Sequence, residues 1–146
     1  TAEGTNYGSK IFWVRFAYWL GIIGDLIAAV FMLFPQLDKG SFNSEVISNP
    51  VFALGARRGA HLMIGWTALL LWADRKPVER KDILLITLCP VEAGRLVYLI
   101  YARMAGFISL GQVVSNLIIE IIFIVFFFIG YLNAKHIEAT FKPKEA

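Results

Sequence analysis

Apolar residues run almost unbroken through four long stretches of this chain, residues 11–34, 51–73, 83–105 and 108–132, and polar residues collect between them. Each stretch is near the roughly 20 residues that a tilted helix needs to span the hydrocarbon of a bilayer. None shows the strict alternation of a membrane β-barrel strand. Backbone N–H and C=O groups in lipid must be satisfied within a helix or a closed barrel, so the pattern predicts helices. The expected fold is all-α, an integral membrane four-helix bundle with antiparallel neighbours, and residues 1–146 form one transmembrane domain.

The connections predict the same boundaries. Pro35, Lys39, Gly40, Asn43, Asn49 and Pro50 form the first, where proline and glycine end one helix and delay the next. Residues 74–82 form the second, charged enough to require water. Gly106 and Phe107 leave room only for a tight third turn, which makes the last two helices a hairpin. The polar stretch 1–9 lacks the positive start of a signal peptide, and the first apolar run is longer than such a peptide's core, so a retained helix is expected.

Orientation follows from lysine and arginine in the short connections. Arg75, Lys76, Arg80 and Lys81 lie in the second loop, Lys10 and Arg15 flank the first helix, and Lys135, Lys142 and Lys144 follow the last. The opposite side has Lys39, with Arg57, Arg58 and Arg103 near helix ends. The basic side is expected to be cytoplasmic, giving a multi-pass cell-membrane protein with both termini inside. Trp13, Trp19, Trp66, Trp72, Tyr7 and Tyr131 fall mostly near the expected interfaces, where amphipathic rings are favoured.

Composition sharpens this picture. An apolar fraction of 58% and a mean hydropathy of +0.63 exceed the roughly 45–50% apolar content of soluble domains. A net charge of +3 without a dense basic stripe excludes a nucleic-acid surface. The single Cys89 excludes an internal disulfide or a CxxC site. No cofactor and no metal are expected. Paired histidine ligation of haem would need a second membrane histidine beside His61, and His136 lies in the tail.

The candidate chemistry lies within the apolar runs. Asp25, His61, Glu92, Arg95, Asn116 and Glu120 place a polar group in every helix, and Arg57, Arg58, Tyr98 and Gln112 lie at helical spacing from them. Arg57 and His61 are four apart, Glu92, Arg95 and Tyr98 step by three, and Gln112, Asn116 and Glu120 step by four, so each set shares a helix face. A charge at mid-bilayer costs about 2.5 kcal/mol or more, so such groups are expected to turn inward and pair. Three carboxylates then meet three guanidinium groups. Snorkelling to the interface is the expectation for Arg57 and Arg58. Pro90, just before Glu92, is expected to kink the third helix and free a carbonyl one turn earlier. Gly21 with Gly24, and Gly55 with Gly59, offer small faces for close helix approach. Phe123, Phe126, Phe127 and Phe128 are expected to pack or to face lipid.

The run Gly65-Trp-Thr-Ala-Leu-Leu-Leu-Trp-Ala-Asp-Arg-Lys-Pro-Val-Glu-Arg80, with Ile83-Leu-Leu-Ile-Thr87 after it and the segment from Gly21 to Pro35 before it, resembles an uncharacterised prokaryotic family of small four-helix membrane proteins. The resemblance implies fold and topology and carries no activity. The Arg-Gly-Ala-His segment also resembles the arginine-rich helix of the MAPEG glutathione-dependent enzymes, but Met63 stands where that pattern has asparagine, so nothing is carried over.

Three functions fit these residues. The leading expectation is a protein that binds or translocates protons or a small polar or amphipathic ligand through Asp25, His61, Glu92, Arg95, Asn116 and Glu120, as a homo-oligomer in membrane lipid. The second is an enzyme acting on a lipophilic substrate, with Glu92 or Glu120 as acid or base beside His61. The third is an accessory or scaffold protein whose ion pairs are purely structural. An enzyme is the less favoured outcome, because no nucleophile, metal-ligand set or nucleotide loop is present.

Overall fold

A computed structural model describes residues 2–37 and 48–141. The described residues are all-helical, in four long helices: α1 (Ala2–Leu33), α2 (Pro50–Asp74), α3 (Asp82–Met104) and α4 (Leu110–Phe141). A short 3₁₀ turn, Pro35–Leu37, follows α1. Lys39, Gly40 and Asn43 of the expected first loop, and Lys142 and Lys144, lie outside the described residues.

Two helices run beyond their apolar stretches. α1 begins at Ala2 rather than near residue 11, and α4 continues past Leu132 to Phe141. Asn133, Lys135, His136 and Glu138 interrupt the hydropathy of α4 without interrupting its helix, because Ala134 and Ile137 still share a buried stripe at a spacing of three. Lys81 then ties Glu138 to the loop before α3 at 2.6 Å.

The helix ends have local causes. Asn49 caps α2 by accepting from the Val51 N–H at 2.8 Å, and Pro50 occupies the first turn, where its missing N–H is harmless. α3 closes on Gly106, whose φ of 76° is left-handed, and the Phe107 N–H returns to the Ala102 carbonyl at 2.9 Å in a Schellman turn. Ser109 and Gln112 form a reciprocal capping box at the start of α4, with Ser109 N–H donating to Gln112 Oε1 at 2.7 Å. These two devices explain how so short a connection reverses the chain.

Pro90 does not break α3. Residues Thr87–Glu92 widen into a π-helical turn that accommodates the carbonyl the proline cannot bond, and α-helix resumes at Ala93.

α1 packs against α2 on one side and α4 on the other, and α3 packs against α4. All three pairings are antiparallel. Gly21 meets Leu70 and Gly59 meets Met32 between α1 and α2; Ala17 meets Gly130 and Gly24 meets Phe123 between α1 and α4. Lys81 reaches Glu138 and Arg95 reaches Glu120 between α3 and α4. At Gly130 the backbones are so close that a Cβ would stand 2.6 Å from that of Ala17. Gly21 and Gly24 serve the same close approach, against the rings of Phe127 and Phe123, which therefore pack inward while Phe128 is exposed. Gly55 meets no neighbour.

The core lies toward the end of the molecule carrying the 75–81 connection, hereafter the loop end. Val14, Ala17, Tyr18, Ile22, Leu70, Ala73, Leu84, Phe127, Ala134 and Ile137 form one buried cluster there. The loop end is also pinned by polar contacts. Arg15 grips Asp74 with two parallel bonds of 3.1 and 3.0 Å, Tyr18 Oη donates to the Arg80 carbonyl at 2.9 Å, and Arg80 both covers the Trp72 ring and donates to the Trp72 carbonyl.

Three segments, Tyr7–Leu33, Asp82–Met104 and Leu110–Thr140, are long and apolar enough to cross a membrane. α2 is long enough but is not among them, since Arg57, Arg58, His61, Gly55 and Gly59 dilute its first half.

Candidate functional site

Asp25, Glu92, Arg95 and Glu120 come together from three helices. Asp25 lies one turn beyond Gly21 on α1, and Glu120 one turn before Phe123 on α4, so the Gly24–Phe123 contact sets both at one level. Glu92 is the last residue of the π-helical turn, and Arg95 follows it by one turn on the same face. The extra residue in that wide turn rotates everything after it, so it fixes which way Glu92 and Arg95 face.

A single guanidinium serves the cluster. Arg95 Nε lies 3.1 Å from Glu120 Oε1, and Arg95 Nη1 lies 3.6 Å from Glu92 Oε2. Glu92 and Glu120 are neighbours, and Asp25 is near enough to Arg95 and Glu92 to interact with both. All three carboxylic residues are buried, whereas the Arg95 side chain is 45% exposed. The arginine therefore lies across the mouth of the cluster with the acids behind it.

The acids are incompletely bonded. Glu92 Oε2 and Glu120 Oε1 are sealed from solvent and have no hydrogen-bond donor among the described residues, because neither approach of Arg95 meets hydrogen-bond geometry. Trp66 Nε1 is a third buried polar atom without a partner. Register places it near the same level, one turn from Leu70 as Asp25 is one turn from Gly21. Nothing in the sequence marked Trp66 for the interior, since a tryptophan in such a helix reads equally well as an interface anchor. No group of three or more His, Cys, Asp or Glu among the described residues could hold a metal ion.

The remaining candidates are elsewhere. His61 is exposed, and its Nδ1 lies 2.7 Å from the Arg57 carbonyl of its own helix. Arg57 and Arg58 are exposed beyond the Gly59–Met32 contact, at the end of α1 farthest from the loop. Asn116 is exposed and donates to the Gln112 carbonyl at 2.7 Å. Gln112 belongs to the capping box, and Tyr98 is 60% exposed. The expected balance of three acids against three arginines is thus three against one at the cluster. Helical spacing put Asn116 and Glu120 on one face, but the narrow contact between α3 and α4 buries only the Glu120 end of it.

This arrangement can hold and exchange protons. The cluster contains no nucleophile, and among the described residues His61 is bonded to the Arg57 carbonyl and to no carboxylate. No protein-family model, curated protein or solved structure matches the chain.

Proposed function

We propose that the chain is a cell-membrane protein that crosses the bilayer four times, with both termini in the cytoplasm, and that its Asp25–Glu92–Arg95–Glu120 cluster binds and releases protons within the membrane. Three segments are apolar enough to span. α2 lies antiparallel along α1, which carries it across with the others. Ile23, Ile27, Val97, Ile100, Ile118 and Ile121 are all exposed, an outward apolar surface far larger than water tolerates on a monomer. Lys10, Arg15, Arg75, Lys76, Arg80, Lys81 and Lys135 gather at the loop end, a concentration of positive charge that supports a cytoplasmic position for it.

The observation that carries the proton reading is the pair of sealed, donor-less oxygens on Glu92 and Glu120. A bulky ligand would need space that sealed atoms do not offer, whereas a proton needs none. Three carboxyl groups around one guanidinium carry more negative charge than a low-dielectric interior accepts, and protons are the counter-charge that fits.

The test is infrared titration of the protonated-carboxyl band in purified protein, over roughly pH 5 to 9, where buried carboxyl groups titrate. The wild type should show a titrating band, and Glu92→Gln and Glu120→Gln should each remove part of it. A band that both variants leave intact would defeat the reading. So would variants that alter only the melting temperature, because a purely structural cluster would do that.

A further inference from the structure

Burial and polarity part company between the loop end and the far end opposite it. From the acid cluster toward the loop end, the inward positions are apolar and closed: Ile22, Tyr18, Leu70, Leu84 and Phe127 are all buried. The hydroxyls among them are committed, since Tyr18 donates to the Arg80 carbonyl, Thr67 to that of Met63 and Thr87 to that of Ile83. Toward the far end the same faces turn polar and open. From Glu120 the stripe continues by fours to Asn116 and Gln112, and from Glu92 by threes to Arg95 and Tyr98. Asn116 and Tyr98 are exposed, Gln112 is half-buried, and Arg95 is the one member of the cluster that is not buried.

The opposite face of α4 is as exposed and has the reverse chemistry. Val114, Ile118, Ile121 and Val125 recur there at helical spacing and are 45–55% exposed. One medium does not suit both faces. Hydrocarbon accepts the valines and isoleucines, whereas the Tyr98 hydroxyl and the Asn116 amide need hydrogen-bond partners that hydrocarbon lacks. No helix supplies them: α2 makes its substantial contacts with α1 alone, and Gly55 on α2 and Gly94 on α3 each have nothing within 4 Å.

We infer that water fills the outer half of the bundle between α2, α3 and α4 and reaches the acid cluster from the far end alone, so that the cluster exchanges protons with that side and not through the loop end. The water-filled part stands on exposure and polarity, and the proton part rests on the reading proposed above. In the topology proposed there the far end is outside the cell, which makes the chain a sensor of external acidity rather than a conduit. The charged groups at the inner limit of this water are Asp25 from α1, Glu92 and Arg95 from α3, and Glu120 from α4. α2 brings Trp66 to that level and no titratable side chain; Arg57, Arg58 and His61 of α2 and Arg103 of α3 lie farther out.

Single cysteines read the medium at each face. Cys89 is exposed and is first replaced by Cys89→Ser. Asn116→Cys and Ile118→Cys then put thiols at nearly the same depth on opposite, exposed faces of α4, where neither substitution opens a packed core. A charged, membrane-impermeant methanethiosulfonate reacts with the thiolate, and a thiol facing hydrocarbon ionises at least about tenfold less than one in water. Lys76→Cys, exposed at the loop end, establishes which way the protein faces in sealed vesicles. Asn116→Cys should react at least about tenfold faster than Ile118→Cys, and only with reagent on the far side. Ala73→Cys, in the buried cluster at the loop end, should react from neither side. Equally slow reaction of Asn116→Cys and Ile118→Cys, which lipid or a second copy over Asn116 would give, overturns the inference. Reaction of Asn116→Cys from the loop side does the same.

The proton part has its own readout. With the pH stepped on one side of the wild-type vesicles at a time, the infrared carboxyl band should follow the far side only. A band that follows the loop side overturns one-sided exchange even where the cysteines react as expected. A band that follows neither side, with Asn116→Cys still reactive, defeats the proton reading and with it the proton part of this inference.

Discussion

The two ends of this bundle use the same kinds of side chain in opposite ways. At the loop end charge meets counter-charge among the described residues: buried Asp74 is gripped by Nε and Nη2 of Arg15, and half-buried Lys81 meets Glu138. At the level of Asp25 three acids crowd one arginine, and two of their oxygens have no donor among the described residues. The first arrangement holds α1, α2 and the connection in one geometry. The second leaves electrostatic demand unmet, which is what a site that exchanges ions requires. Neutralising one carboxylate at each end without changing its shape should separate the two. Asp74→Asn breaks a bidentate charged pair and should cost about 2 to 3 kcal/mol of stability in detergent unfolding. Glu120→Gln removes a charge already short of partners and should cost less than about 1 kcal/mol, or stabilise. Equal losses would erase the distinction.

Packing shows the same contrast. At Gly130 the backbones of α1 and α4 approach so closely that an added methyl meets Ala17 Cβ at 2.6 Å, and neither atom can rotate away. Gly130→Ala should therefore force the helices apart and cost about 1 to 3 kcal/mol, read as a lower unfolding midpoint. Gly24→Ala should cost less, because its obstacle is the edge of the Phe123 ring, which can turn.

These two ends also mark how far the sequence could be read. The four apolar runs led to four helices, since burial in lipid or protein demands that length and periodicity. The acids that converge, Asp25, Glu92 and Glu120, were legible because a carboxylate within an apolar run has few tolerable places to go. What spacing could not supply was rotation between helices. Asn116 shares a face with the inward Glu120, yet it satisfies itself on its own backbone and stays exposed, and His61 does the same on a face that is exposed throughout. Gln112 looked like part of a polar stripe, and only the hydrogen bonds at Ser109 reveal a cap. The pairing of Arg15 with Asp74 joins residues far apart in the chain, and no local pattern announces it. The π-helical turn at Pro90 was visible only as an interruption.

Lys81 offers a gentler test of the loop end. Its hydrogen bond to Glu138 raises its pKa above the ordinary 10.5, against the opposing effect of desolvation and with the attraction of the same carboxylate in support. A folded-state pKa above the unfolded one means that the stabilisation is complete below pH 10.5 and is lost as pH rises through the folded value. Unfolding followed from neutral pH into that alkaline window should show the wild type losing this increment while Lys81→Met, which never had it, stays flat. The pair is partly exposed and open to screening, so the change should be smaller than either effect above.

The smallest expected effect is the most pointed. Gly65 lies on α2 facing away from α1, with nothing within 4 Å of where a Cβ would stand. If that face is free, Gly65→Ala should be neutral or should stabilise by up to about 1 kcal/mol, because alanine is the better helix former and meets no obstacle. Gly55 has the same open surroundings and should behave alike. The measurement is the unfolding midpoint of each variant beside that of Gly130→Ala. A loss at Gly65 as large as at Gly130 would mean that another surface packs against α2 in the membrane. The bundle would then have a second tight seam, and the contrast drawn from one chain would hold only for the monomer.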